Sequence, residues 1–373
     1  MMKTDKIGLY VHIPFCVKKC NYCDFCSFSG ISADIKAKYI DKLCQEILSY
    51  KNRSLSVDTI FFGGGTPTLL SIDDMQNIVD AIGEAFAIDG DAEFTMEANP
   101  GTTTREKLLG FVKCGVNRFS IGLQTIHENE LKTLGRIHTY DDFLKTYSDL
   151  RSIGISNVNV DIMYGIPHQT MESFVATLNT VSDLSPEHIS VYGLILEEGT
   201  PFFANSSRLP LPSEDTECDM YYLACDLLKN RGYHHYEISN YAKPGLESRH
   251  NKKYWTEKEF IGVGLSAYSY LDGERFGNTK DLQKYLCGSG ISEFSERIDI
   301  ETRKYEYVML ALRLSDGISL SEYKDLFSED FTSGREETIA RLASGGYINS
   351  NNDSISLTEK GFYVSNYIIT ELL

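Results

Sequence analysis

The first two thirds of the chain alternate short apolar runs with amphipathic stretches, and this alternation limits the fold more than any other feature. Runs rich in Val, Ile, Phe or Tyr occur at 7–14, 58–62, 92–98, 118–123, 157–164 and 189–196, each stopped by Gly, Pro or a polar cluster. Such runs read as strands. Between them, 33–50, 72–86, 105–114, 141–153 and 172–184 carry apolar residues at helical spacing, as in Ile35, Tyr39, Leu43, Ile47 and Leu48. Ser71 and Thr104 stand where helix caps belong, each with an acidic residue in the turn that follows. Strand and helix in strict alternation demand a parallel sheet joined by right-handed crossovers. Six such units suit either an open doubly wound sheet or a β/α barrel.

The pattern changes after Pro201. Residues 213–231 predict a long helix, and 234–254 are polar and aromatic with few helix signals. The stretch 260–271 holds Gly262 and Gly264 among small residues, which predicts a tight bend or close packing. Helical patterns at 302–314, 320–327 and 334–344 then lead to a short hairpin at 347–357 and a last helix at 359–373, the order of a winged helix. The expected organisation is an α/β partial barrel over 1–235, a connecting segment over 236–300, and a small C-terminal α+β, winged-helix-like domain over 301–373.

The formal net charge is −17, and the C-terminal unit is acidic too. A nucleic-acid binder would need a basic stripe, so that class is set aside. The N-terminal stretch has no apolar leader core, and no run approaches the ~18 apolar residues of a membrane span. The expected location is the cytoplasm. There, nine cysteines with four of them inside residues 16–26 point to metal ligation and not to a disulfide frame. Cys44, Cys114, Cys218, Cys225 and Cys287 read as small buried hydrophobes.

Cys16, Cys20 and Cys23 follow the first strand directly, spaced C-x3-C-x2-C. Three thiolates on one loop can hold three corners of an iron–sulfur cube. The fourth iron then stays open to another ligand, as catalytic metal sites keep an open position. Cys26 reads either as a fourth ligand or as a free thiol beside the cluster, the latter preferred. The second strand ends in Gly63-Gly64-Gly65-Thr66, where backbone can approach a ligand closely. Glu97, Asn99, Gln124 and Asp161 sit at or beyond later strand ends, which in a β/α barrel share one mouth. Glu97 suits ribose hydroxyls, and the Arg136 fork suits a carboxylate.

These segments resemble the radical S-adenosylmethionine superfamily, and within it the branch that holds the oxygen-independent coproporphyrinogen III oxidases and the HemW heme chaperones. The resemblance rests on Tyr10-Val11-His12-Ile13-Pro14-Phe15-Cys16, Gly63–Thr68, Glu97-Ala98-Asn99-Pro100, Ser120–Gln124 and Asp161–Pro167. It implies a 4Fe–4S cluster on Cys16, Cys20 and Cys23. It also implies S-adenosylmethionine held by Tyr10, Gly64, Gly65, Thr66, Glu97, Gln124, Arg136 and Asp161. Three features resemble the chaperones: a start close to the cluster strand, Phe25 where the oxidases have a fourth cysteine, and the H-N-x-x-Y-W segment His250–Trp255. That likeness implies heme binding and heme transfer to a respiratory acceptor protein at the membrane, with a homodimer also allowed. His250 is then the expected heme ligand, flanked by Tyr254 and Trp255. The competing expectation is an enzyme that decarboxylates a porphyrinogen or acts on another substrate by radical chemistry.

Overall fold

Six strand–helix units lay down the parallel heart of the protein. In the computed structural model, residues 6–288 and 292–373 are described; residues 1–5, part of the stretch read for a leader, lie outside that range. The strands are β1 (Ile7–Ile13), β2 (Ser56–Gly64), β3 (Ala87–Ala98), β4 (Arg118–Gln124), β5 (Val158–Tyr164) and β6 (His188–Gly193). The helices between them are α1 (Ala33–Leu48), α2 (Ile72–Ala85), α3 (Arg105–Lys113), α4 (Glu128–Leu134), α5 (Tyr140–Ser152) and α6 (Met171–Asp183). The predicted caps are present. Ser71 Oγ accepts from the Asp74 amide at 3.0 Å, and Thr104 Oγ1 accepts from the Lys107 amide at 3.3 Å. Short α4, with no side-chain cap, has no counterpart among the expected elements.

The region expected as a connector is built into the sheet. After α7 (Glu214–Asn230), β7 (His234–Glu237) and β8 (Asn240–Ala242) form a hairpin whose second strand pairs antiparallel with β6. Helix α8 (Arg249–Trp255) follows, and then β9 (Phe260–Val263) returns to lie parallel beside β1, with Gly8 opposite Phe260. Strands β10 (Tyr268–Leu271), β11 (Glu274–Asn278) and β12 (Ser292–Arg297) extend that edge antiparallel. The sheet order is β12-β11-β10-β9-β1-β2-β3-β4-β5-β6-β8-β7, a partial barrel that does not close. Gly262 has a physical reason: a Cβ there would come within 2.2 Å of the Tyr268 carbonyl oxygen.

The C-terminal unit has the expected helices followed by a small antiparallel sheet of Ile318–Ser319, Ser354–Leu357 and Ile348–Ser350. It shares one continuous core with the barrel. The Tyr221 hydroxyl of α7 donates to the Glu359 carbonyl at 3.1 Å, and the Ile238 amide donates to the Arg313 carbonyl at 3.0 Å. Apolar residues such as Leu9, Val11, Ile60, Phe62, Met96 and Ile121 lie fully buried between sheet and helices. The barrel's inner face is more polar, and that side carries the site.

Candidate active site

The C-terminal ends of β1 to β6 open onto one cavity of about 360 Å³. Cys16, Cys20 and Cys23 line it on one side. Gly64, Gly65, Thr66, Glu97, Gln124 and Asp161 line it from the strands and their ends, and Arg136 from the loop after α4, so seven of the eight expected cofactor residues meet in one place. Val17, Phe25, Ile137 and Ile195 stand exposed around its rim.

Local contacts explain why the cysteine loop sits here. The Phe28 amide donates to the Pro14 carbonyl at 2.7 Å, closing the loop at its base. Asn21 clamps the far end. Its amide donates to the Leu134 carbonyl at 2.9 Å and its side chain to the Thr133 carbonyl at 2.9 Å. Its own carbonyl accepts from the Phe202 amide at 3.0 Å. Tyr22 beside it packs into a small apolar cluster of Leu134, Met163, Ile166 and Phe202. Two donors reach the thiols: Thr66 Oγ1 to Cys16 Sγ at 3.6 Å, and an Arg136 η nitrogen to Cys20 Sγ at 3.7 Å. Cys26 is not among the cavity residues. Its thiol donates to the Lys280 carbonyl at 3.7 Å, while its carbonyl contacts His12 Nε2 at 2.8 Å.

The glycines are there for closeness. Gly64 has φ +106°, and a Cβ on it would meet the His12 ring at 2.4 Å. A Cβ on Gly65 would lie 2.7 Å from the Phe15 carbonyl oxygen and 2.8 Å from that of Ile13, both backbone atoms that cannot swing aside. The second strand is thereby drawn against the root of the cysteine loop.

Two carboxyl groups share the interior. Glu97 accepts from the Gly64 amide at 3.1 Å. Burial, with Asp161 nearby, pushes its pKa up to about 8. Asp161 is also raised by burial, although Asn159 donates to it at 2.7 Å. Gln124 has φ +75° at a register shift between β4 and β5, a strained backbone for a residue with a side chain. The Tyr192 hydroxyl donates to its side-chain Oε1 at 2.7 Å. Arg136, half-buried beneath the loop, also donates to Asn99 Oδ1 at 2.7 Å and to the Gly122 carbonyl at 2.5 Å.

Comparison with known proteins accounts for this arrangement. Residues 10–181 match the model of the radical SAM superfamily, and residues 298–364 match that of the HemN C-terminal domain. The heme chaperone HemW of Lactococcus lactis is 35% identical over 98% of this chain and 96% of its own length. HemW of Escherichia coli is 34% identical over 97% of this chain and 96% of its own length. The chain belongs to the HemW family. Its fold is also that of the solved coproporphyrinogen III oxidase HemN from Escherichia coli, with a TM-score of 0.86 at 24% identity, covering 98% of this chain and 90% of that one.

Membership of the radical SAM superfamily implies an iron–sulfur cluster and S-adenosylmethionine, and the residues present fit both. Three thiols face a single cavity, two of them already met by donors of the kind a thiolate prefers. Gly64 and Gly65 line the same cavity beside them.

Two expected residues stand apart from the cavity. Tyr10 is not among its lining. It stacks on Phe61 with centroids 6.2 Å apart, and its hydroxyl contacts His12 Nδ1 at 3.0 Å. His250 lies at the opposite end of the barrel. Helix α8 plugs the N-terminal ends of the strands there, and His250 is 1% exposed. Its Nδ1 contacts Thr59 Oγ1 at 2.9 Å, its Nε2 contacts the Tyr254 hydroxyl at 2.9 Å, and its ring stacks on Phe61. An axial ligand needs an accessible nitrogen with a free lone pair. The packed α8 offers none, so the expectation that His250 ligates heme does not fit this arrangement. Tyr254 and Trp255 likewise belong to the plug.

Sequence reasoning missed Asn21, His12 and Tyr192, whose roles appear only once distant segments meet. Asn21 carried a faint signal, since it lies inside the C-x2-C spacing and could not be a ligand.

Proposed function

We propose that the protein is a heme chaperone that binds heme and passes it to an acceptor protein of the respiratory chain, carrying a 4Fe–4S cluster on Cys16, Cys20 and Cys23 and S-adenosylmethionine in the adjoining cavity. The observation that carries this reading is one cavity that combines three thiols, a polar floor and an apolar rim. Relatives named as heme chaperones, similar over nearly the whole chain, support it. Gly64 and Gly65 would admit the amino-acid end of the cofactor, and Glu97 and Gln124 would orient its sugar. Asp161 completes the polar floor. Cluster and cofactor, when bound, supply electron transfer to a sulfonium. Exposed Val17, Phe25, Ile137 and Ile195 give the mouth an apolar edge suited to a flat, largely apolar guest.

Delivery takes place at the cytoplasmic face of the membrane, with the protein docked from outside the bilayer. Among the described residues no helix is long and apolar enough to cross a membrane. A homodimer is compatible with this reading.

The retained cofactor cavity also favours a second reading, radical decarboxylation of a porphyrinogen. Both are tested by reconstituting the protein with iron and sulfide under anaerobic conditions, adding S-adenosylmethionine and a reductant, and supplying coproporphyrinogen III or heme in parallel. The chaperone reading expects stoichiometric heme uptake and release to a heme-depleted acceptor, without turnover of coproporphyrinogen. Repeated catalytic formation of protoporphyrinogen would overturn it.

A further inference from the structure

The two sulfur donors in the site are not independent. Thr66, just past β2, reaches Cys16, and Arg136, in the loop after α4, reaches Cys20. Between them stands one side-chain amide, that of Asn99. Its Nδ2 donates to Thr66 Oγ1 at 2.8 Å, and its Oδ1 accepts from Arg136 at 2.7 Å. The assignment of nitrogen and oxygen follows from chemistry: a guanidinium can only donate, so the amide oxygen must face it.

Each bond has a consequence. Once Asn99 donates to the Thr66 oxygen, the single Thr66 hydroxyl proton is free for Cys16. Once Asn99 Oδ1 and the Gly122 carbonyl both hold one η nitrogen of Arg136, the other is aimed at Cys20. The amide itself is fixed by the turn after β3. The Asn99 carbonyl accepts from Thr102 Oγ1 at 2.6 Å and from the Thr102 amide at 3.2 Å, and Thr102 is braced by Thr68 at 2.7 Å. The belt therefore runs Cys16–Thr66–Asn99–Arg136–Cys20.

We propose that Asn99 is a positioning residue for the cluster thiolates, and that it raises the reduction potential of the cluster by aiming one hydrogen bond at each of two sulfurs. This rests on the cluster assignment above. Hydrogen bonds to cluster sulfurs stabilise the additional negative charge of the reduced state and so favour reduction. Aspartate is nearly the same shape, yet it could not serve. It would still accept from Arg136, but it has no donor for Thr66, whose proton would turn to the carboxylate and away from Cys16.

The test is a redox titration followed by electron paramagnetic resonance on anaerobically reconstituted wild type, Asn99→Ala, Asn99→Asp and Thr66→Val, with iron counted in each. The expected result is a lower midpoint potential in all three variants. Thr66→Val should shift less than Asn99→Ala, because it loses only the Cys16 bond. Should Asn99→Ala fail to load iron, Asn99→Asp and Thr66→Val decide: a lowered potential supports the proposal, and a wild-type potential overturns it. Wild type that holds no cluster would sink the cofactor reading itself, whereas loaded variants with unchanged potential would sink only the belt.

Discussion

The two ends of the barrel use similar residues to opposite ends. At the mouth, buried polar groups face empty space: Glu97 and Asp161 are both raised by burial, and the glycine backbone lies open beside the thiols. At the base, α8 fills the space and the polar groups are engaged by protein. Glu93 accepts the Arg249 and His250 amides at 3.0 Å each. Lys253 pairs with Asp58 at 2.8 Å and donates to the Lys6 carbonyl at 2.8 Å. Burial drives the His250 pKa down to about 3, so the ring is neutral and serves as a bridge between Thr59 and Tyr254. The lesson is that a polar residue inside a barrel signals a ligand where it lines a cavity; where packed protein covers it, as at α8, it belongs to a plug.

The sharpest way to break this contrast is at the thiols. Cys16→Ala, Cys20→Ala and Cys23→Ala should each lose the cluster altogether, while Cys26→Ala keeps it, as read by iron content and visible absorption. Equal loss in all four would mean that the mouth extends to Cys26. Next in size is the glycine cradle. Gly65→Val should displace the root of the cysteine loop and lower cluster loading, since its Cβ would lie 2.7 Å from the Phe15 carbonyl oxygen, as read by iron content. Loading at the wild-type level would show that the backbone there does not need to be bare.

At the base the expected effect is on stability. His250→Ala should cost about 2–4 kcal/mol in urea unfolding, since it leaves a void and orphans two buried hydroxyls. Heme uptake by the folded variant should be unchanged. A lost Soret band at wild-type stability would return His250 to the heme and make the base a second binding end. The last effect concerns pH. The folded pKa of Glu97 is raised to about 8 from an ordinary 4.5. Its protonated form therefore adds stability that is complete below pH 4.5 and fades as pH rises through about 8. Glu97→Gln should flatten that part of the pH–stability curve. Cofactor binding in wild type should tighten over the same rise, as the carboxylate becomes available to accept hydroxyl hydrogen bonds. A profile unchanged by Glu97→Gln would remove Glu97 from that role.

Much of the mouth was legible because its signals are local. Cys16, Cys20 and Cys23 fall within eight residues, Gly63–Thr66 ends a strand, and Ser71 and Thr104 are caps that act over one turn. The base was not legible. Residues 249–255 look too polar for a core helix, and only Ser248 as a cap and the pairing with Glu93, some 155 residues away in sequence, make them one. Tyr10 stands on β1 as expected, stacked on Phe61 of β2, and is not among the residues that line the cavity. Residues 236–300 carry short strands interrupted by glycine, and their membership of the sheet depends on partners such as β1 that lie far back in the chain.

The return of β9 to β1 bears on how the protein is made. β1 precedes the other described strands of the sheet, but its outer neighbour is encoded about 250 residues later. At synthesis rates of ~5–20 residues per second, that partner arrives on the order of ten to fifty seconds after β1 itself. Throughout that interval one flank of the strand that roots the cysteine loop has no native partner. The loop is thus synthesised well before it gains its full support, which favours metal insertion after β9 has been made.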